Sequence, residues 1–199
     1  MKTTLSLFRL NRVTVLACCG LAASYPLVAT EPLVVCAPDG THLVTLTKQG
    51  RIQYRQATDY TIQGTFYICY PQAICFSADG KLLAAAGGRN GGPAKIKVWR
   101  IADHHQLCQI IAAGEGFNAL AFSSDGNLVV GASSDGRLQV WRVSDGQSQW
   151  TRFMSSAPKS IRFSLDSKRV LIQAENASDR QFDAGNGRPV SDRGIAPKR

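Results

Sequence analysis

The chain has 199 residues, 44% hydrophobic and 19% charged, an ordinary globular balance that excludes disorder as a description of the whole. No apolar run reaches the roughly 20 uninterrupted residues of a membrane span, which excludes a polytopic membrane protein. The net charge is +9, and Lys2, Arg9 and Arg12 stand in an acid-free opening; the remaining basic excess suits solubility, or an acidic partner, nucleic acid or an anionic lipid surface.

The first element is a leader. Residues 13–23 follow those three cations and are uncharged and mostly apolar, and small residues come next. That order predicts an export signal over residues 1–24. Cleavage sites lie after Ala22 and after Ser24. Val15-Leu16-Ala17-Cys18 is similar to a lipobox, which would tether the chain to a membrane through Cys18. An uncleaved anchor is the third option. Each sends residues 25–199 out of the cytoplasm, to the periplasm or beyond, and away from chromosomal nucleic acid. Cys36, Cys69, Cys75 and Cys108 remain after the leader. Four thiols allow three pairings, and Cys69 and Cys75 could bridge neighbouring strands; buried free thiols are the alternative. No histidine stands near them at metal-ligand spacing, so neither zinc nor another metal is expected.

Four repeat units follow, over about residues 33–73, 74–119, 120–160 and 161–191. Each opens with an apolar run closed by an Asp turn. The openings are Val34-Val35-Cys36-Ala37-Pro38-Asp39-Gly40, Ile74-Cys75-Phe76-Ser77-Ala78-Asp79-Gly80, Leu120-Ala121-Phe122-Ser123-Ser124-Asp125-Gly126 and Ile161-Arg162-Phe163-Ser164-Leu165-Asp166-Ser167. A second marker follows at Tyr54, Trp99, Trp141 and Phe182. Two markers in step over four copies, with a period in the forties, point to a solenoid or propeller. Asp-Gly between apolar runs is a hairpin signal, because Gly accepts positive φ and Asp caps the turn. A further hairpin turn stands at Ser134-Asp135-Gly136. Val and Trp favour the third strand of each unit, and a weaker fourth strand is predicted in the third unit over about residues 148–153. The expected fold is all-β, a β-propeller of four-stranded antiparallel blades with about four repeats.

At this point the chain resembles the WD40 repeat family, over about residues 33–191. Phe122-Ser123-Ser124-Asp125-Gly126 and Ser133-Ser134-Asp135-Gly136-Arg137-Leu138-Gln139-Val140-Trp141-Arg142 are similar to that family's opening and closing signatures. The resemblance implies a hydrogen-bond network tying a blade together, here through Ser133, Asp135 and Trp141. Its histidine is replaced by Ala113, and by Met154 in the fourth unit. The closing Asp is Arg in three units and survives as Asp183. The resemblance also implies a ring of about seven blades, more than four units supply. Three arrangements meet that shortfall. The four blades close alone, with residues 27–32 lending a strand to the last. Two chains form a homodimer completing an eight-bladed ring. Or the chain is a truncated fragment of a longer protein.

The second unit carries a longer turn between its second and third strands, with Gly88-Arg89-Asn90-Gly91-Gly92-Pro93. The resemblance places this turn on the face that often binds partners, which makes Arg89, Asn90 and Lys95 contact candidates. The alternative is a tolerated surface insertion. Arg55, Arg100 and Arg142 follow the second marker in three units, and an arc of such residues could meet an acidic protein or lipid headgroups; local pairing with turn Asp residues is the alternative. No nucleotide-cradling motif and no nucleophile motif is present, so no catalytic residue and no cofactor is assigned. The expected function is a non-enzymatic protein–protein interaction or scaffolding module, exported, with a protein partner and no nucleic acid. The rival is an exported propeller enzyme or small-ligand binder, hydrolase- or lactonase-like.

Overall fold

The computed structural model describes residues 7–10, 13–17, 33–46, 50–88, 93–112, 116–155, 158–174 and 179–190. Among them there is no helix, and so none long and apolar enough to cross a membrane. The described strands form four sheets. The first holds β1 (Leu7–Leu10), β2 (Val13–Ala17), β3 (Leu33–Cys36), β4 (His42–Leu46), β5 (Arg51–Gln56) and β6 (Ile62–Tyr67). The second holds β7 (Pro71–Phe76), β8 (Leu82–Gly87), β9 (Ala94–Arg100) and β10 (Gln106–Ala112). The third holds β11 (Phe117–Phe122), β12 (Leu128–Ser133), β13 (Arg137–Arg142) and β14 (Ser148–Phe153). The fourth has three strands, β15 (Pro158–Phe163), β16 (Arg169–Ala174) and β17 (Arg180–Asp183). Strands follow one another in chain order within each sheet, as short antiparallel turns require. Only β2 against β3 is parallel. The architecture is a small β-propeller whose sheets do not close into a ring. The first strands of units two to four begin about three residues ahead of the boundaries read from the repeat.

The turn chemistry explains the repeated Asp and Ser. After each first strand an Asp carboxylate accepts the backbone N–H two residues on: Asp39 from Thr41 at 3.0 Å, and Asp79, Asp125 and Asp166 from Lys81, Asn127 and Lys168 at 3.1 Å. Ser77 Oγ donates to Asp79 at 2.7 Å and accepts Leu82 N–H at 2.9 Å. Ser123 and Ser164 repeat that pair of bonds. A hydroxyl serving as donor and acceptor at once is why Ser77 and Ser123 are tolerated in full burial. Gly40, Gly80 and Gly126 take φ near +70° there, and Ser167 holds the same place at φ 58°, where L residues are strained.

The cores lie between sheets, one at each junction. Val35, Val44, Ile52, Tyr54 and Phe66 of the first sheet meet Ile74, Phe76, Leu83, Ala85 and Trp99 of the second. The other face of the second sheet (Ala84, Ala86, Ile96, Val98, Ile110) meets Phe117, Leu120, Phe122, Val129 and Trp141 of the third. The third sheet's far face (Ala121, Val130, Leu138, Val140, Trp150) meets Ile161, Phe163, Val170, Ile172 and Phe182 of the fourth. Strand alternation gives each middle sheet two apolar faces. Strand β11 touches both β7 and β15, so first strands lie nearest the axis. Among the described residues no core joins the fourth sheet to the first.

The outward faces of the two end sheets carry polar groups where the middle sheets are apolar, beside Leu171 on the fourth and the buried Val34 and Leu43 on the first. On the fourth, Ser160, Arg162, Arg169, Gln173 and Gln181 stand where the third has Ala119, Ala121, Leu128, Ala132 and Val140. On the first, Thr45, Gln53 and Arg55 hydrogen-bond together, Arg55 Nη2 donating to Gln53 Oε1 at 2.6 Å and Nε to Thr45 Oγ1 at 3.3 Å. Cross-strand register corrects the sequence reading at this point. Leu83 faces Trp99, Val129 faces Trp141 and Val170 faces Phe182, but the equivalent Leu43 faces Arg55. Arg55 therefore occupies the tryptophan place, Tyr54 that of Val98, and Gln56 that of Arg100 and Arg142. A step of one residue moves a side chain to the other face. Tyr54 faces inward with Gly64 as its small cross-strand partner, and among the described residues no other sheet packs on the first sheet's outward face. The strand expected from residues 27–32 lies outside the described residues. The described N-terminal strands β1 and β2 extend the β3 edge of the first sheet. Pro189 bridges to Phe182 beyond β17, a stub where a fourth strand would run.

Candidate interaction surface

The propeller has two axial ends. One carries the turns from first to second and from third to fourth strands; the other carries the turns from second to third strands and the links between sheets. Arg100 and Arg142 lie at the first end, each in an ion pair with the Asp of its own turn: Arg100 with Asp103 at 3.0 Å and Arg142 with Asp145 at 2.8 Å. Hydrogen bonding from the Arg100 guanidinium, and then from the His105 N–H, holds the Asp103 carboxyl below its ordinary range. Arg55 donates to the Tyr60 carbonyl at 2.7 Å and faces outward from the first sheet. The structure thus separates the three arginines: two share a place and the third stands on another face. Arg100 and Arg142 pair with the Asp of their own turns, while Arg55 bonds to Thr45, Gln53 and the Tyr60 carbonyl.

At the other end, Arg89 and Asn90 lie outside the described residues. Lys95 is exposed on β9, with Ile111 of β10 as its cross-strand partner. Ser133 is buried and donates to Asp135, which also accepts Arg137 N–H at 3.0 Å. The Ser133 hydroxyl, the largest cause, holds the Asp135 carboxyl below its usual value. Trp141 packs edge-on against Phe117, centroids 5.2 Å apart, and serves the core between second and third sheets. The Met154 N–H bonds to the Gly136 carbonyl at 2.8 Å, so backbone alone closes that corner. Ala113 lies outside the described residues.

His104 fills a left-handed turn position (φ 58°), as Gly146 and Gly187 do in the next units. Its ring lies edge-on to Phe66 of the first sheet at 5.5 Å and fills the space a side chain at Gly64 would need. That is a packing role. Among the described residues no three His, Cys, Asp or Glu gather as a metal set. Cys36, Cys69, Cys75 and Cys108 are all thiols. Cys75 and Cys108 are buried, and burial pushes Cys108 up to about 11, which keeps it unreactive at neutral pH.

Sequence reasoning missed five residues at this end. Arg51, Lys95 and Arg137 occupy one place near the start of the third strand in sheets one to three. Tyr67, Ile111 and Phe153 are their respective partners on the fourth strands. Tyr67, Ile111 and Phe153 are 59%, 64% and 70% exposed. The signal was a column of cations at 51, 95 and 137. Placing Tyr54 opposite Trp99 shifted the first unit by one residue and hid it.

Residues 103–142 match the family model described as WD domain, G-beta repeat. No curated protein matches the chain. The matched segment starts in the turn before β10 and ends with β13. It thus joins the outer strand of the second sheet to three strands of the third, one unit linking two blades. One repeat of this chain, residues 103–142, is a match to the WD40 family, and the sheets on either side repeat its strand-and-turn architecture as a WD40-like β-propeller.

Proposed function

We propose that the chain is an exported, non-enzymatic module that holds a protein partner at the end of the propeller carrying the long turn of the second sheet. WD40 repeats mediate protein–protein interaction, and the match over residues 103–142 is the observation that carries this reading. Fold alone does not set function, so the site must bear it. The polar groups of the repeats support a scaffold: the Ser–Asp pairs are engaged in turns, and Arg100 and Arg142 in their own ion pairs. The leader over residues 1–24 takes the module out of the cytoplasm, with a membrane tether if Cys18 is lipidated.

The test places a photo-crosslinker at position 95 of the full chain, expressed in its native envelope. One predominant protein adduct is expected, competed by excess unlabelled chain and lost when residues 89–92 are deleted. An uncompeted smear, or a stoichiometric metal ion in the purified protein with turnover of an ester or lactone, overturns the reading in favour of an enzyme.

A further inference from the structure

We infer that the three cation–apolar pairs Arg51–Tyr67, Lys95–Ile111 and Arg137–Phe153 form a docking rim for an acidic, aromatic-bearing polypeptide. The inference rests on the interaction reading above and names the chemistry of its partner.

The pairs are equivalent by repeat. Each is a cross-strand pair between third and fourth strands, so both side chains stand on one face of the sheet and within reach of each other. Equivalent places in successive blades are related by rotation about the propeller axis, so the pairs recur along one arc at one axial end. The third is already assembled: the Arg137 guanidinium lies 5.3 Å from the Phe153 ring centroid, within cation–π range.

Folding does not explain the apolar members. Each is more than half exposed, while the residue before it, Phe66 or Ile110, is buried in a core in the first two sheets. Exposed large apolar groups set beside arginine have the composition of protein-interface hot spots. The charge supports an acidic occupant. Asp39, Asp59, Asp79, Asp103, Asp125, Asp145 and Asp166 lie in turns of the opposite end, and Asp183 closes β17 there. The ion pairs of Lys81, Arg100 and Arg142 lie there too. The rim end holds two described acids, Asp135, engaged by the Ser133 hydroxyl and the Arg137 N–H, and Asp179, beside the cations Arg51, Lys95 and Arg137.

Orientation favours a polypeptide over a bilayer. Side chains on strands stand roughly perpendicular to their sheet, and propeller sheets are arranged radially. The Lys95–Ile111 and Arg137–Phe153 pairs therefore point around the circumference, into the wedges before the second and third sheets, the Arg51–Tyr67 pair stands on the outward face of the first, and none points along the axis toward a flat surface. A chain lying along the rim reaches them in turn.

The test uses the full chain and a glutamate-rich copolymer of glutamate and tyrosine, with polyglutamate and phosphatidylglycerol vesicles alongside. Copolymer binding is expected to be salt-sensitive and to protect Lys95 from acetylation. The triple variant Arg51→Glu, Lys95→Glu, Arg137→Glu weakens it about tenfold or more. Tyr67→Ser, Ile111→Ser, Phe153→Ser weakens it about tenfold and brings the copolymer down to the level of polyglutamate. A charge-matched control at the opposite end, Lys81→Glu, Lys168→Glu, Arg188→Glu, leaves it close to wild type. Equal loss in control and rim variants overturns the rim, because net charge alone then accounts for binding. So does copolymer binding that leaves Lys95 unprotected, which needs no variant to fold. Vesicle binding that depends on the six residues while the copolymer fails assigns the rim to a bilayer. A protected Lys95 without any envelope cross-link rejects the exported partner and keeps the rim; a cross-link without protection does the reverse.

Discussion

Ala121 in the third sheet and Arg162 in the fourth occupy the same place in their repeats, yet Ala121 is fully buried and Arg162 is exposed. The same contrast holds along the face except at Leu171, which stands in the place of Val130. Where the third sheet meets a neighbour it offers Ala, Val and Leu. Where the fourth meets none among the described residues it offers Ser, Arg and Gln beside Leu171. The first sheet shows the mirror case, with Arg55 in the place that Trp99, Trp141 and Phe182 fill elsewhere. A repeat that packs on both sides must be apolar on both faces, and one at the end of a stack needs a polar outer face. End-to-end pairing of two such arcs would set Arg51 and Arg55 against Arg162 and Arg169, like charges, with Val34, Leu43 and Leu171 as the apolar residues beside them.

The sharpest way to break this comparison is to exchange the paired residues. Ala121→Arg buries a charge in the core between third and fourth sheets and is expected to cost about 3–5 kcal/mol in urea unfolding. Arg162→Ala should stay within about 0.5 kcal/mol of wild type. Similar costs at both places would mean that the fourth sheet's outer face is covered too. Next is the aromatic column. Trp141→Ala should lose about 3–5 kcal/mol, whereas Arg55→Ala, which removes surface hydrogen bonds, should lose about 1 kcal/mol.

Turn variants sharpen the contrast from another side, because turns are shared by inner and end sheets. Gly126→Ala is expected to cost about 1–2 kcal/mol and Ser167→Gly to gain a similar or smaller amount, read as shifts of the urea midpoint. A loss on Ser167→Gly would show that the fourth turn is held by contacts of the serine. The smallest effect is that of pH. The Thr41 hydroxyl lowers Asp39, and the Ser133 hydroxyl lowers Asp135, both below the ordinary 3.8. Carboxylates lowered by folding add stability above their unfolded value and lose it as pH falls through the native one. The melting temperature should thus be insensitive to these groups from neutral pH down to about 4 and fall below it. Asp135→Asn should flatten that fall.

Much of the fold was legible in the chain because turns and alternation are local. Asp-Gly pairs marked the hairpins after the first strands, and the period placed β14 at Ser148–Phe153, where a weak fourth strand was expected. The candidate surface was less legible. Lys95 was found through the long turn beside it. Arg51 and Arg137 were not, because a cation at the start of a strand has no local pattern and gains meaning only opposite Tyr67 and Phe153. Arg100 and Arg142 were legible as a repeated place, but their ion pairs with Asp103 and Asp145 depend on turn geometry.

Repeat number, strand order and turn chemistry were set by residues close together in the chain, where φ preferences and period-two burial act over a few positions. Which faces meet was decided only in three dimensions. Tyr54 and Arg55 are adjacent in sequence, and composition cannot say which one turns inward. The cross-strand pairing of Leu43 with Arg55 decides it, because one residue of register exchanges the buried face for the exposed one.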